Sequence, residues 1–346
     1  MEYKLLISTD FHMTPENVET IKALHLEAIE CANKHGIKVH VWLGDVFDSR
    51  ISQRENVLTA LSQIINMYDE AGHKIYCIPG NHDKTNYESE NSFLNPYNYH
   101  PSFELINIQY SANICGLSCV FLPFFTDDIL YDKLKEGIKG YDLLFGHFAV
   151  TGSRNNDGTK VDNRITPSLL KGFRKVFLGH YHNYQEIGSN IVHLGSIQQN
   201  NFGEDEEKGF WLLKDDYSVE LVKPKSANVF VKLKVDLNEI SPKQLKGVID
   251  KFKKNNPNAT QLRVEVEGTT SQVEALETSV YKDMGIDIKK KSKDADTDSM
   301  DIETAEVTTL TKDDVMEKFE HFCSEKGYDF ESGVEILKKV LEYGVK

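Results

Sequence analysis

Apolar and polar positions along the first 80 residues alternate between two periods. Tyr3 to Thr9 is a mostly apolar run, the pattern of a buried strand. From about Pro15 to Lys34, Ile21, Leu24, Ala28 and Ala32 recur near helical spacing, and Gly36 supplies the stop. Val39 to Leu43 reads as the next strand. From about Gln53 to Ala71 a stripe of Val57, Leu61, Ile64, Ile65 and Tyr68 marks a second helix, closed by Gly72, and Lys74 to Ile78 is a third strand. The β-α-β-α-β order predicts a layer of parallel strands. Strand patterns then come closer together, at about 105–109, 117–123, 141–146, 174–178, 190–194, 209–214 and 218–223. That mixture predicts an α/β fold of two packed sheets flanked by helices.

The pattern changes near Pro224. Val229, Val231, Leu233 and Val235 alternate, residues 241–254 read as a helix with Pro242 at its first position, and Leu262, Val264 and Val266 alternate again. A helix at 271–282 and a short strand at 285–290 complete a small α+β unit. Residues 289–305 lack aromatics and carry blocks of charge, the composition of a linker. Thr311 and Asp314 form a capping-box-like start. Val315, Phe319, Phe322 and Cys323 line one helix, and Val334, Leu337, Val340 and Leu341 a second. Two short stripes cannot bury each other fully, so the pair docks on the body or on a partner. The expected organisation is 1–224, 225–290, a flexible linker at 291–310, and a helix pair at 311–346.

Composition is that of a globular protein: 40% hydrophobic and 27% charged over 346 residues. Apolar runs are too short to span a bilayer, so no membrane is expected. The N-terminus does not read as a signal peptide. Five Cys, an odd number without a paired pattern, point to a reducing, cytoplasmic compartment. The net charge of −14 argues at first against a phosphate-binding partner. It is unevenly spread. Residues 1–222 carry 19 basic and 30 acidic side chains, residues 223–293 carry 15 and 9, and residues 294–346 carry 6 and 15. The basic surplus thus falls in the small unit, with Lys243, Lys246, Lys251, Lys253 and Lys254 on or beside one helix. A loop at 152–164 with Arg154, Lys160 and Arg164 is a second candidate for phosphate contact, or simply a surface loop.

Candidate chemistry sits just past predicted strands. Five clusters occur there: Asp10-Phe11-His12, Gly44-Asp45-Val46-Phe47-Asp48, Gly80-Asn81-His82-Asp83, Gly146-His147 and Gly179-His180-Tyr181-His182. Residues at the carboxyl ends of strands point into the crevice where α/β ligands bind. Carboxylates, imidazoles and an amide oxygen together suit a borderline ion such as Mn²⁺, Fe²⁺ or Zn²⁺, whereas an all-oxygen magnesium site would not need so many His. The donors suffice for two ions sharing one carboxylate. His25, His35, His40, His73, His100 and His321 read as surface or core residues, and His193 is open between roles.

These clusters, across residues 7–182, resemble the calcineurin-like metallophosphoesterase superfamily. Within it the chain is similar to SbcD-type nuclease subunits of double-strand-break repair complexes. The stretch Leu194-Gly195-Ser196 through Asn201-Phe202-Gly203-Glu204 and then Lys208-Gly209-Phe210, the small unit and the terminal helix pair carry that likeness. The compact length suggests a bacteriophage recombination endonuclease subunit, acting in the host cytoplasm. The resemblance implies a two-sheet metallophosphoesterase sandwich flanked by helices, with a small α+β DNA-capping domain and a C-terminal helix pair. It implies one ion on Asp10, His12, Asp45 and His182 and another on Asp45, Asn81, His147 and His180, with a water between them activated for attack on phosphorus. His82 would stabilise the transition state or protonate the leaving oxygen, and Asp83 could orient it. Asp48 stands where relatives place a substrate-contacting His or an Asp, and is as readily a loop-capping carboxylate. Two divalent ions, Mn²⁺ expected and Mg²⁺ or Fe²⁺ as alternatives, would support exonuclease and endonuclease cleavage of DNA. The partners implied are DNA, an SMC-like coiled-coil ATPase (SbcC-type) bound through the C-terminal helices, and a second copy. The stripe on residues 53–71 and the region after Asp83 are candidate homodimer surfaces. Competing readings are a phosphatase or small-molecule phosphodiesterase with the same core, and a mainly architectural subunit that bridges DNA ends.

Overall fold

A computed structural model describes residues 2–138, 140–155 and 158–293, together with Phe330 and Val334. The β-α-β-α-β start forms as the pattern predicts: β1 (Tyr3–Ser8), α1 (Val18–His35), β2 (Val39–Trp42), α2 (Glu55–Glu70) and β3 (Lys74–Cys77). Helix α1 begins later than expected because Asn17 ties down the turn before it. Its side chain accepts the Thr14 N–H at 2.8 Å and donates to His12 O at 2.9 Å. Gly36 ends α1 in the left-handed region, with φ 71.

Next come β4 (Phe103–Leu105), β5 (Tyr110–Ile114), β6 (Leu117–Leu122), α3 (Asp127–Lys135), β7 (Leu143–Gly146), β8 (Lys175–Leu178), β9 (Gln185–Ile187), β10 (Ile191–His193), β11 (Phe210–Lys214) and β12 (Val219–Val222). Two mixed six-stranded sheets result, in the orders β12-β11-β1-β2-β3-β4 and β5-β6-β7-β8-β10-β9. Strands β1, β2 and β3 are mutually parallel in one sheet, and β6, β7 and β8 in the other. Leu5, Ile7, Val41 and Leu43 of the first sheet pack against Phe121, Phe145, Phe177 and Val192 of the second, which forms the core between the layers. Edge strand β5 escaped the sequence pattern because only Ile114 of its five residues is buried. Helix α3 escaped because it buries only Leu130 and Leu134.

The apolar stripe of α2 belongs to the chain's own core. Val57, Leu61, Ile64, Ile65 and Tyr68 are at most 2% exposed, packed with Ile21, Leu24 and Trp42. As a homodimer surface that stripe is therefore excluded; burial within one chain leaves it nothing to offer a second.

The small α+β unit comprises β13 (Phe230–Asp236), α4 (Pro242–Asn255), β14 (Gln261–Gly268), α5 (Thr270–Glu274), α6 (Ser279–Asp283) and β15 (Ile286–Ser292), with sheet order β13-β14-β15. The single helix expected at 271–282 is broken in two. Val273, Leu276 and Tyr281 are all buried whereas Val280 is 52% exposed, so the break rotates Tyr281 inward where a continuous helix would have presented Val280. By packing, the chain divides after Lys291. The linker expected at 291–310 lies, past Lys293, outside the described residues, as does the terminal helix pair at 311–346 apart from Phe330 and Val334.

Candidate metal centre

Five parallel strands deliver the five clusters to one place. Asp10 and His12 follow β1, Asp45 and Asp48 follow β2, Asn81 to Asp83 follow β3, His147 follows β7, and His180 and His182 follow β8. Backbone bonds carry the sheet pairing past the strand ends: Asp10 N to Gly44 O at 3.0 Å, His12 N to Asp45 O at 3.0 Å, and Gly179 N to Gly146 O at 3.0 Å. The local backbone is strained. Asp10, His12, Asp45 and His180 all have positive φ (55, 46, 51 and 85). A non-glycine residue reaches that region only where its surroundings impose it, and such strain marks functional sites. Close approach does the imposing. A Cβ on Gly80 would overlap Asp45 Oδ1, and one on Gly179 would overlap Thr9 Oγ1 and come within 2.8 Å of His147 Nδ1.

Among the described residues the donor atoms form three groups, one of them His12, Asp48 and His82 at the mouth of the pocket. Asp10, His12 and His182 offer ligand atoms within 4.8 Å of one another, and Asp45, His147 and His180 do the same. Asp45 faces both: its Oδ2 lies 3.3 Å from His147 Nε2 and 3.7 Å from His12 Nε2. Asn81 Oδ1 stands 3.1 Å from His147 Nε2 and 2.9 Å from His180 Nδ1. All seven expected ligand residues are thus brought together.

Three imidazoles are also held from behind. His147 Nδ1 donates to Leu43 O, His182 Nδ1 lies 2.8 Å from Glu204 Oε1, and His12 Nδ1 lies 3.4 Å from Asp48 Oδ1. With protons on those outward nitrogens, the inward nitrogens, once deprotonated, offer their lone pairs to an ion. His12 Nε2 and His182 Nε2 then face each other across 2.9 Å, and His147 Nε2 faces oxygens of Asn81 and Asp45. Acceptors aimed at acceptors repel unless a proton or a metal cation stands among them; a divalent ion would displace the protons and meet every one of these groups, so the residues fit divalent ions.

Titration leans the same way. Burial opposes ionisation of Asp45, but His147 and His12 outweigh it and hold its carboxyl well below the usual range. Burial alone would lower His147, yet the Asp45 charge and hydrogen bond raise it to about 9. His12, likewise opposed by burial, is raised by Asp48, Asp45 and Asp10. The anionic pocket therefore demands positive charge. His180 is pushed down to about 3 by burial and by His147, the state of a neutral ligand.

His82 rises beside this centre from a half-buried position. Its backbone N–H donates to Asp45 Oδ1 at 2.8 Å. Its Nδ1 donates to Asp48 O, which can only accept, so Nε2 is left to accept from Arg50 Nη2 at 2.7 Å. Burial lowers the His82 pKa, and Arg50 and His12 add to that against the pull of Asp45.

One expectation is corrected here. Asp83 does not orient the His82 ring. Its carboxylate accepts Phe47 N–H at 3.0 Å and Gly80 N–H at 2.8 Å, so it ties the turns after β2 and β3 together. Burial and the Asp45 charge raise its pKa to about 7. Asp48, read as a substrate contact or a loop-capping carboxylate, lines the pocket, where its carboxylate lies beside His12 and its carbonyl accepts from His82.

Sequence reasoning gave no role to four residues. Arg50 lines the pocket, an open cleft of about 460 Å³, with His82. Glu204 and Lys208 are buried behind His182. Lys84 is fully buried and donates to Ser89 O at 2.9 Å and Phe124 O at 2.7 Å, with Phe125 under its ammonium. His193 is a core residue, bonded to Gly179 O at 2.9 Å and Ser153 Oγ at 3.0 Å.

Of the basic candidates, Arg164 pairs with Asp128 and lies over the Tyr131 ring, and Arg154 Nη1 bonds Gly158 O at 2.9 Å. Asn155 rather than either arginine lines the pocket. Lys243, Lys246, Lys251, Lys253 and Lys254 are exposed along or beside α4.

A two-sheet sandwich with His and Asp donors at its strand ends defines a metal-dependent phosphoesterase. The sequence pattern of the calcineurin-like phosphoesterases matches residues 3–207, and the chain belongs to that family. It is 25% identical over 219 residues to exonuclease subunit 1 of Enterobacteria phage T4, across 60% of this chain and 64% of the relative. The chain thus matches less than two thirds of that relative's length. Among solved structures, a novel archaeal phosphodiesterase aligns with 63% of this chain and 98% of its own, at 15% identity and a TM-score of 0.34. A Pseudomonas putida nuclease, MPE, aligns with 54% of this chain and 66% of its own, at 14% identity and a TM-score of 0.27. At those scores neither likeness adds to the family assignment.

Proposed function

We propose that the chain is a DNA nuclease, hydrolysing phosphodiesters with two divalent ions, Mn²⁺ first among them. The observation that carries this reading is Asp45, one carboxylate facing imidazoles of both donor groups while its other oxygen holds the His82 backbone. One ion would sit on Asp10, His12, Asp45 and His182, the other on Asp45, Asn81, His147 and His180. When bound, the ions supply Lewis-acid chemistry, polarising the phosphodiester and activating an attacking water.

The chain's own residues do the rest. Asp83, Gly80 and the strained strand ends hold the donors in place before substrate arrives, so little rearrangement is needed during reaction. His82 keeps its one ring proton on Nδ1, bound to Asp48 O. To protonate a leaving oxygen it must gain a second proton at Nε2, which requires Arg50 to let go. An incoming phosphate is the anion that can draw that guanidinium away.

The phage relative is named a subunit, which supports placing this chain in a complex. We assign it to an SbcCD-like recombination and double-strand-break repair assembly in the cytoplasm, as a homodimer bound to an SMC-like ATPase through residues 311–346. The exposed lysines of α4 would supply backbone contacts.

A phosphatase is the second reading, favoured by Arg50, a guanidinium beside His82 able to grip a terminal phosphate. The deciding experiment offers linear duplex DNA and a phosphopeptide to the purified chain with Mn²⁺. The nuclease reading expects nucleotide release from DNA that EDTA abolishes. Robust phosphopeptide turnover without DNA cleavage overturns it.

A further inference from the structure

The segment between β10 and β11 does two things at once. On one side it reaches the metal centre. Glu204, its side chain fully buried, accepts from His182 Nδ1 at 2.8 Å, Asn201 Nδ2 at 2.8 Å, Asn200 N at 3.0 Å and Ser196 Oγ at 3.3 Å. Lys208, 4% exposed, bonds His182 O and Asn183 Oδ1 and lies 3.8 Å from Glu204 Oε2. The ring and the backbone of His182 are therefore both fixed from this one segment.

On its other side the same segment receives the small unit. Gln199, 3% exposed, donates through Nε2 to the Glu204 carbonyl at 3.0 Å and accepts Phe230 N–H, the first of β13, at 2.8 Å. Gln198 Oε1 accepts Asn228 N–H at 3.3 Å. Phe202 meets the Phe230 ring edge-on at 4.8 Å and lies under the Arg263 guanidinium of β14 at 4.3 Å. One buried amide, Gln199, thus links the main chain of the His182-holding residue to the entry of the three-stranded sheet.

We propose that Glu204 is the positioning residue for His182, and that Gln199 couples this positioning to the small unit. The seating of residues 225–290 then tunes the affinity of the ion held by Asp10, His12 and His182. The inference rests on the two-ion reading above. An imidazole held by a carboxylate at its outward N–H keeps both its tautomer and its aim, and loss of such a partner costs roughly ten- to a hundredfold in metal affinity. A tug on β13 passes through Gln199 to the Glu204 backbone without crossing any other side chain.

The test measures Mn²⁺ binding to the full chain by electron paramagnetic resonance of free Mn²⁺, with thermal melting alongside. Glu204→Gln is isosteric, so it is the decisive variant. It is expected to weaken one of two ions about tenfold while the other binds as in the wild type. Gln199→Ala is expected to weaken that same ion several-fold, in step with a looser small unit seen as faster amide exchange at Phe230. Wild-type affinity for both ions in Glu204→Gln, or equal weakening of both with a lowered melting point, overturns the positioning role. An unchanged ion in Gln199→Ala overturns the coupling. Should the wild type bind no Mn²⁺ at all, it is the two-ion reading that fails.

Discussion

The carboxylate of Asp45 accepts the backbone N–H of His82 at 2.8 Å through one oxygen and turns the other to His147, at 3.3 Å, and His12, at 3.7 Å. The residue between the two donor groups thus also fixes where the His82 ring emerges. Asp45→Asn keeps the shape and removes the charge. We expect cleavage to fall roughly a thousandfold or more, equivalent to about 4 kcal/mol of transition-state stabilisation. Initial rates on duplex DNA check this; a variant within tenfold of the wild type would contradict it.

His82→Ala separates binding from chemistry. His82 holds no place in either donor group of the proposed ions, so Mn²⁺ and DNA binding should persist. Cleavage should drop by about 10²- to 10⁴-fold, the usual worth of a proton-transferring group. Undiminished cleavage would remove His82 from the mechanism.

The parallel strands and both early helices were legible because their stripes bury one face: Ile21, Leu24, Ala28 and Ala32 on α1 are at most 1% exposed. Edge strand β5 was not, because an edge strand with one buried residue has no pattern to read. The seven donors were legible because each follows a strand beside a turn. Their supports were not. Asp83 looked like a partner for its neighbour His82, yet the turn aims it at Phe47 N and Gly80 N, and Glu204 acts on a residue 22 positions away. Sequence order carries no information about such long-range orientation.

Gly80→Ala tests the close packing of the two turns. The added Cβ would overlap Asp45 Oδ1, so the carboxylate or the turn must move. A loss of about 1–3 kcal/mol in stability is expected, with Mn²⁺ bound at least tenfold more weakly. Urea unfolding and metal titration measure the two effects. An unperturbed variant would mean that the site is more compliant than the geometry implies.

Acid should destabilise the fold through three buried histidines. Burial lowers His25 to about 3 and His73 to about 4, and drives His40 well below its usual value. His25 accepts from or donates to Tyr68 Oη at 2.9 Å, and His40 meets His73 at 2.9 Å. These groups stay neutral in the fold, while the unfolded chain takes up protons below about pH 6.5. Their stabilisation is therefore complete above that pH and is lost as pH falls toward 4 and then 3. Melting curves from pH 7.5 to 4.5 should show a falling Tm, with a shallower slope in His25→Gln. A Tm independent of pH over that window would contradict the burial of these rings.

The α4 lysines should govern salt sensitivity. Lys246→Glu with Lys253→Glu is expected to weaken duplex binding and to reduce the slope of log K against log salt by about one per lost phosphate contact. Both side chains are exposed, so folding should be unaffected. An unchanged slope would move the DNA path away from the small unit.

Anomalous diffraction from Mn²⁺-soaked crystals is the most direct test of the two-ion centre. Two peaks should appear, one among Asp10, His12 and His182 and one among Asn81, His147 and His180, with Asp45 bound to both. A single peak, or two peaks that leave Asp45 unbound to either, would contradict it.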